Sequence, residues 1–477
     1  MRHLRPNLAL PGLLQPVVKP WRALLLAGAA FLALQATPAQ AQSMTEALSE
    51  AYTNNPTLQA ARARLRATDE NVPQALSNWR PTVTAGANYG VADGESRTSR
   101  AGSATDTSRN PRGANLTVTQ PLYRGGRTTA GTNRAEAQVL AERARLLATE
   151  QQVLGDGVNA YVNVLRDSAL LRLNQNNERV LTRQLQATND RFRVGEITRT
   201  DVAQAEARLA RARADREAAE GNLQNSRANY VRVIGAQPGT LREPAPLSTP
   251  VRSREEAIAM AAGNNPNVIA ANFDERAAID NVDLIFGELL PSVSLQGQAF
   301  DNTDPSVRGG FSRGYQASAV LSVPLYQGGQ EYSRVRQAKQ QAQQARQVLD
   351  DTRRASQEAA SRAWDTLNTA RAQVNSTRAQ IRASEVALDG VSREALVGSR
   401  TTLDVLNAEQ ELLDARVSLV RALRDLVVAS YALAAATGRL SARDLGLQVD
   451  FYDSDANYRA VRGRVVGTGV PGDPLRR

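Results

Sequence analysis

The 477-residue sequence contains no cysteine, and its one histidine is His3. Disulfides, thiolate metal sites and lipid attachment at a mature amino-terminal cysteine are therefore excluded. No Ser/acid/base constellation is localised either, so the chain reads as a non-enzyme needing no metal or cofactor. The pairs Gly125-Gly126 and Gly328-Gly329 are too sparse for a phosphate-cradling loop. Aromatic residues make up 4%, too few for a thick globular core. The abundant Ala, Arg, Gln and Glu instead favour thin layers of helices packed closely through alanine. Beyond residue 41 no apolar stretch approaches the roughly 20 residues that a membrane-spanning helix needs.

What stands at the start is a leader. Arg2, Arg5, Lys19 and Arg22 precede the apolar run 23–34, and Ala39-Gln40-Ala41 is a small-x-small cleavage site. This is the pattern of a secretory signal peptide over 1–41, the run being too short for a membrane anchor. The mature chain is expected to start near Gln42. The net charge of +10 shrinks accordingly, because four of its basic residues lie in the leader. Elsewhere the signs alternate along helices, as in Glu206, Arg208, Arg211, Arg213, Asp215, Arg216 and Glu217. That suits a solvated helical face and gives no nucleic-acid stripe.

The sequence then says nearly the same thing twice. Gln120-Pro121-Leu122-Tyr123-Arg124-Gly125-Gly126 recurs 203 residues later as Val323-Pro324-Leu325-Tyr326-Gln327-Gly328-Gly329. Val194-Gly195 with Asp201-Val202 recurs as Val397-Gly398 with Asp404-Val405. Two structural repeats follow, 42–248 and 249–447, with a flexible tail expected over 448–477 from its Gly, Pro and Arg content. Each repeat opens with a helix, about 44–72 and about 254–286. A hairpin comes next, 81–121 and 291–324, around loops expected near 92–112 and 301–313. In it Val83, Ala85, Ala87 and Tyr89 alternate with Thr82, Thr84, Gly86 and Asn88, and Tyr315, Ala319 and Leu321 with Gln316, Ser318 and Ser322. A long helix follows each Gly-Gly, 128–193 and 331–396, about 100 Å each. A returning helix completes each repeat, 200–234 and 402–436. Its seam, Val405, Ala408, Leu412, Ala415, Leu419, Ala422, Leu426, Ala429 and Leu433 in the second copy, is the 3.5-residue rhythm of knobs-into-holes packing.

Counting decides what the strands are for. Ten residues is about the length of a tilted strand crossing an outer membrane. A soluble periplasmic sandwich is the plainer reading, but it leaves two open edges. In lipid an open edge is forbidden, and four strands cannot close a pore, for which about eight is the minimum. Three copies would supply twelve strands and, from two helical hairpins each, a ring of twelve helical columns.

The chain resembles the TolC family of outer-membrane efflux and secretion channels. The resemblance rests on the paired Asn-Asn-Pro at 54–56 and 264–266, the Pro-Leu-Tyr-x-Gly-Gly elements, Phe192-Arg193-Val194-Gly195 and the run 397–406. It implies a mixed, mainly helical homotrimer: a twelve-stranded barrel in outer-membrane lipid, continued by a periplasmic α-helical tunnel. It implies docking to a periplasmic adaptor, a membrane fusion protein, and through it to an inner-membrane ABC or proton-driven transporter that supplies the energy. Drugs, small toxic molecules or unfolded secreted polypeptides would leave through it. A periplasmic coiled-coil scaffold or adaptor without a pore is the competing reading, and it leaves the strands without a purpose.

The glycines at 195 and 398 reverse the chain, and the resemblance makes Val194, Gly195, Val397 and Gly398 the adaptor-contact turns. Asp201 and Asp404 stand early in the returning helices, where an acid caps free amides. The resemblance adds a periplasmic gate, with Asp404 in an acidic ring and Arg400 and Asp201 among the locking contacts. Asn407 stands where the family often has a second acid, and Ala395 where it has a locking Tyr, so a weaker resting lock is expected. Pro81, Pro121, Tyr123, Gly125, Gly126, Pro291, Pro324, Tyr326, Gly328 and Gly329 mark the barrel–helix crossovers, with the prolines at strand ends and the tyrosines in an interfacial girdle.

Overall fold

The computed structural model describes residues 42–97, 105–248, 250–306 and 308–470, so the expected signal peptide lies outside the described residues. Helix α1 (Met44–Asn54) begins at a capping box in which Ser43 and Glu46 satisfy each other's backbone amides. The single opening helix expected over 44–72 is in fact three, with α2 (Pro56–Asp69) and α3 (Asn71–Ser77) following α1. The break is chemical. Pro56 has no amide hydrogen, and Asn55 turns extended before it, its side chain accepting from the Thr57 amide at 2.9 Å.

Strand β1 (Thr82–Tyr89) leads into a two-stranded ribbon, β2 (Ala92–Ser96) with β3 (Thr105–Arg109), and then β4 (Arg112–Arg124). A loop was the expectation for 92–112; the ladder from Ala92–Arg109 to Ser96–Thr105 replaces most of it. Helix α4 (Arg127–Arg193) runs 67 residues, and α5 (Arg199–Ile234) returns beside it.

The second repeat follows with α6 (Arg254–Asn264) and α7 (Pro266–Phe286), again broken at Asn265-Pro266 where one helix was expected. Then come β5 (Ser292–Thr303), β6 (Phe311–Ser322), the 67-residue α8 (Gln330–Leu396) and α9 (Thr402–Ala436). The strands reach further into 301–313 than the expected loop allows. Asn55 Nδ2 donates to Val233 O at 2.9 Å and Asn265 Nδ2 to Ala436 O at 3.3 Å. The two acceptors are 203 residues apart. Each asparagine thus caps an opening helix and fastens it to the end of a returning one, making a broken column beside the unbroken α4 or α8.

The main sheet is antiparallel in the order β1-β4-β5-β6, so β1 and β6 are its edges. Register sorts its two sides. Val83 pairs with Val118, and Leu295 with Ala319; Thr84–Thr117–Gln298–Gln316 form a polar row on the other side. The main core lies at mid-height, where Leu48, Leu58, Leu154, Tyr161, Tyr230, Ile234 and Leu440 are fully enclosed. The returning-helix seam is buried at Leu412, Ala415, Ala422, Ala429 and Leu433.

The segment after Leu447 departs from the expected flexible tail. As far as residue 470 it is described, and it forms a strap along α1, α2 and α4. Tyr452 N donates to Tyr52 Oη at 3.1 Å, Asn457 Nδ2 to Asp69 Oδ2 at 2.8 Å, and Arg462 pairs with Glu136 at 3.0 Å. A short helix, α10 (Ala456–Val461), presents Val461 to the protein, 2% exposed. Arg62 lies between the rings of Tyr52 and Tyr452, at 4.5 and 5.2 Å.

Candidate functional site

The two helical hairpins reverse direction at adjacent tips. In the first, Gly195 adopts φ 78° and donates to Phe192 O at 3.0 Å; in the second, Gly398 adopts φ 80° and donates to Ala395 O at 3.2 Å. A side chain would be strained at that φ, while the space around both glycines is open. Val194 and Val397 beside them are 77% and 81% exposed, and Leu396 is 87% exposed. Apolar side chains thus stand at the extreme end of the molecule with nothing of their own chain over them.

An ion pair spans each turn, and the two pairs are of opposite polarity. Arg191 binds Glu196 at 2.6 Å in the first turn; Glu394 binds Arg400 at 2.8 Å in the second. Arg191 and Glu394 are repeat-equivalent, so the sign has been exchanged. The hydrogen bond from Arg191 holds the Glu196 carboxyl below the usual range.

Past each turn stands a capping box. Asp201 Oδ2 accepts from Thr198 N at 3.0 Å and its own amide donates to Thr198 Oγ1 at 3.3 Å; Asp404 and Thr401 repeat this at 3.0 and 3.2 Å. The Thr401 amide and hydroxyl, followed by the Arg400 charge, hold the Asp404 carboxyl below its ordinary value. Within this chain Arg400 is therefore paired inside its own turn, and Asp201 inside its own cap. Asn407 Oδ1 accepts from Arg208 Nη2 at 2.8 Å, joining the returning helices of the two repeats. Leu406 is buried against Leu181, Leu209 and Ala212 just above, so the two hairpins are packed side by side. Arg208 stood in the sequence only among the alternating charges and Leu406 only in the run 397–406, and neither was singled out for the site.

At the other end are the crossovers. Pro81 and Pro291 each immediately precede a strand, and Pro324 follows the end of β6. Pro121 does not end its strand as expected. It pairs with Ser294 inside β4, the register slips past Leu122, and Tyr123 and Arg124 continue opposite Val293 and Ser292. A proline is tolerated there because the bulge already interrupts the ladder. Gly126 and Gly329 cap α4 and α8 with φ 77° and 86°. A Cβ at Gly125 would strike Gly287 O, so the two crossovers touch through backbone; Gly328, its repeat-equivalent, faces open space. Tyr123 and Tyr326 are 46% and 78% exposed. Among the described residues no group of His, Asp or Glu could hold a metal, and no helix is long and apolar enough to cross a membrane.

The comparisons with known proteins agree with this geometry. The sequence matches the family described as "Outer membrane efflux protein" over residues 47–236 and 257–439. It is 37% identical to the outer membrane efflux protein BepC of Brucella suis, over 94% of this chain and 96% of that protein. It is 26% identical to the outer membrane protein TolC of Vibrio cholerae, over 85% and 92%. Among solved structures, the outer membrane protein VceC of Vibrio cholerae superposes with a TM-score of 0.72 at 20% identity, covering 83% of this chain and 96% of that one.

Proposed function

This chain belongs to the outer membrane efflux protein family, and we propose that it is the trimeric channel-tunnel of a tripartite export system. It is an outer-membrane protein with a TolC-like fold. The observation that carries the finer reading is the sheet: β1 and β6 are both unpaired edges of a four-stranded sheet with one apolar and one polar side. Only further strands can complete it in lipid, and three copies give a closed twelve-stranded barrel. The paired helical columns continue that ring into the periplasm.

On this reading the turns at Val194-Gly195 and Val397-Gly398 dock a periplasmic adaptor, through which an inner-membrane ABC or proton-driven transporter delivers cargo. The exposed valines and the fixed turn geometry support that role. Asp201, Arg400, Asp404 and Asn407 lie just inside the tip and form the gate. Three Asp404 carboxylates around one axis favour cations and hold a closure that is easily switched. Cargo is released unchanged, as small toxic molecules or secreted polypeptides according to the pump.

The test has two arms. Light scattering of the detergent-solubilised protein should give the mass of a trimer. Gly398→Leu should leave trimers intact and abolish export in a cell-based efflux assay. A monomer by mass, or undiminished export, would refute the corresponding part.

A further inference from the structure

Where β4 leaves the barrel, three arginines of the first repeat share one cleft of about 460 Å³: Arg124, Arg127 and Arg134, with Asn78, Gln138 and Glu288 on its wall. Strand register tells which way Arg124 faces. Residues paired across antiparallel strands point to the same side. Up to Pro121 the polar side of β4 is its odd-numbered set, Thr117 and Thr119 facing Gln298 and Gln296. The slip past Leu122 then sets Arg124 opposite Ser292, on the side of Ser294 and Gln296. The bulge therefore turns Arg124 to the polar side, which in a barrel is the pore side.

These charges are not neutralised by the protein. Arg127 Nε donates to Arg124 O at 3.0 Å, Arg134 Nη1 to Asn281 Oδ1 at 2.8 Å, and Arg124 to Asn78 Oδ1. Among the described residues none of the three forms an ion pair, and Arg134 Nε is buried without any partner. Glu288, the carboxylate on the wall, is already held by Arg334.

The duplication supplies a control. The positions 203 residues on from Arg124, Arg127 and Arg134 are Gln327, Gln330 and Gln337. At these three positions the second repeat thus carries neutral amides, its own Arg334 being paired with Glu288, so arginine at them is not required by the architecture.

We propose that this cleft is a binding station for anionic cargo, holding a carboxylate or phosphate group against the pore wall just below the barrel. Guanidinium groups suit this because their planar N–H forks engage such anions two bonds at a time. The proposal rests on the channel reading. A trimer would carry three such stations alternating with three amide-lined sites, drawing anions into the exit path.

The experiment compares wild-type protein with Arg124→Gln/Arg127→Gln/Arg134→Gln in planar bilayers under a potassium chloride gradient. The chloride-to-potassium permeability ratio should fall on the order of twofold, and the difference should shrink at molar salt. The converse variant, Gln327→Arg/Gln330→Arg/Gln337→Arg, should raise the ratio, and it decides the matter if the first fails to assemble. Conducting trimers whose ratio is unmoved by these changes overturn the proposal alone. Wild-type trimers that do not conduct overturn it together with the channel reading.

Discussion

Asp404 and Asp69 are the same carboxylate in opposite surroundings. Asp404, at the tip, is stabilised as an anion chiefly by the Thr401 amide, then by its hydroxyl and by Arg400, and its pKa is depressed. Its contribution is therefore present above the ordinary carboxylate range and lost as pH falls through the lower folded value. Asp69 is enclosed under the strap, and burial raises its pKa despite the Asn457 hydrogen bond and the Arg143 charge. Its cost is present at neutral pH and relieved as pH falls through the raised value. Two outcomes are expected. Hydrogen exchange in the first turn of α9, corrected for intrinsic rate, should rise in acid for the wild type and already at pH 7 for Asp404→Ala. Asp69→Asn should gain stability to urea at pH 7 and none in acid; an equal change at both would refute the assignment. Its place early in a returning helix made Asp404 legible as a cap, though its Thr401 partner was not. Asp69 was not legible, because what encloses it lies nearly four hundred positions away.

Among the elements, the long and returning helices were the most legible, since seams such as Leu412-Ala415-Ala422-Ala429 repeat one period without interruption. The strands were legible by alternation, yet their ends were not. Pro121 looks like a terminus until the skipped Leu122 shows that a bulge carries the strand onward. The strap escaped sequence reading altogether. Tyr452, Asn457 and Tyr458 have no shared period, and their meaning lies in Tyr52, Asp69 and Glu136. Deleting residues 451–477 should remove a donor from the buried Asp69 and one ring from Arg62. A loss of roughly 2–4 kcal/mol in urea unfolding is expected. Unchanged unfolding would mean that the strap contributes no net stability.

For the whole molecule, the 203-residue repeat predicts contacts that one protomer cannot make. Val118 of β4 faces Gly297 of β5 inside the protomer. Their repeat-equivalents are Leu321 and, by the 210-residue offset of Pro81 from Pro291, Ala87. Leu321 at one open edge should therefore face Ala87 of the partner subunit at the other. The cysteine-free background makes this direct to test. Leu321→Cys/Ala87→Cys should oxidise to a covalent trimer, whereas Leu321→Cys/Ala85→Cys, one side-chain pair out of step, should not. Efficient cross-linking of the second pair alone would overturn the register.

The exchange of sign at the tips has its own consequence. Arg191 and Glu394 are repeat-equivalent with charges reversed, and each finds its partner, Glu196 or Arg400, within its own turn. In the proposed trimer the end of the tunnel would then be six-cornered in shape but only three-cornered in charge. On the proposed reading, an adaptor that reads electrostatics there would meet two kinds of socket in alternation. Its binding should fill one set of three before the other, giving a titration with two steps that merge into one at high salt.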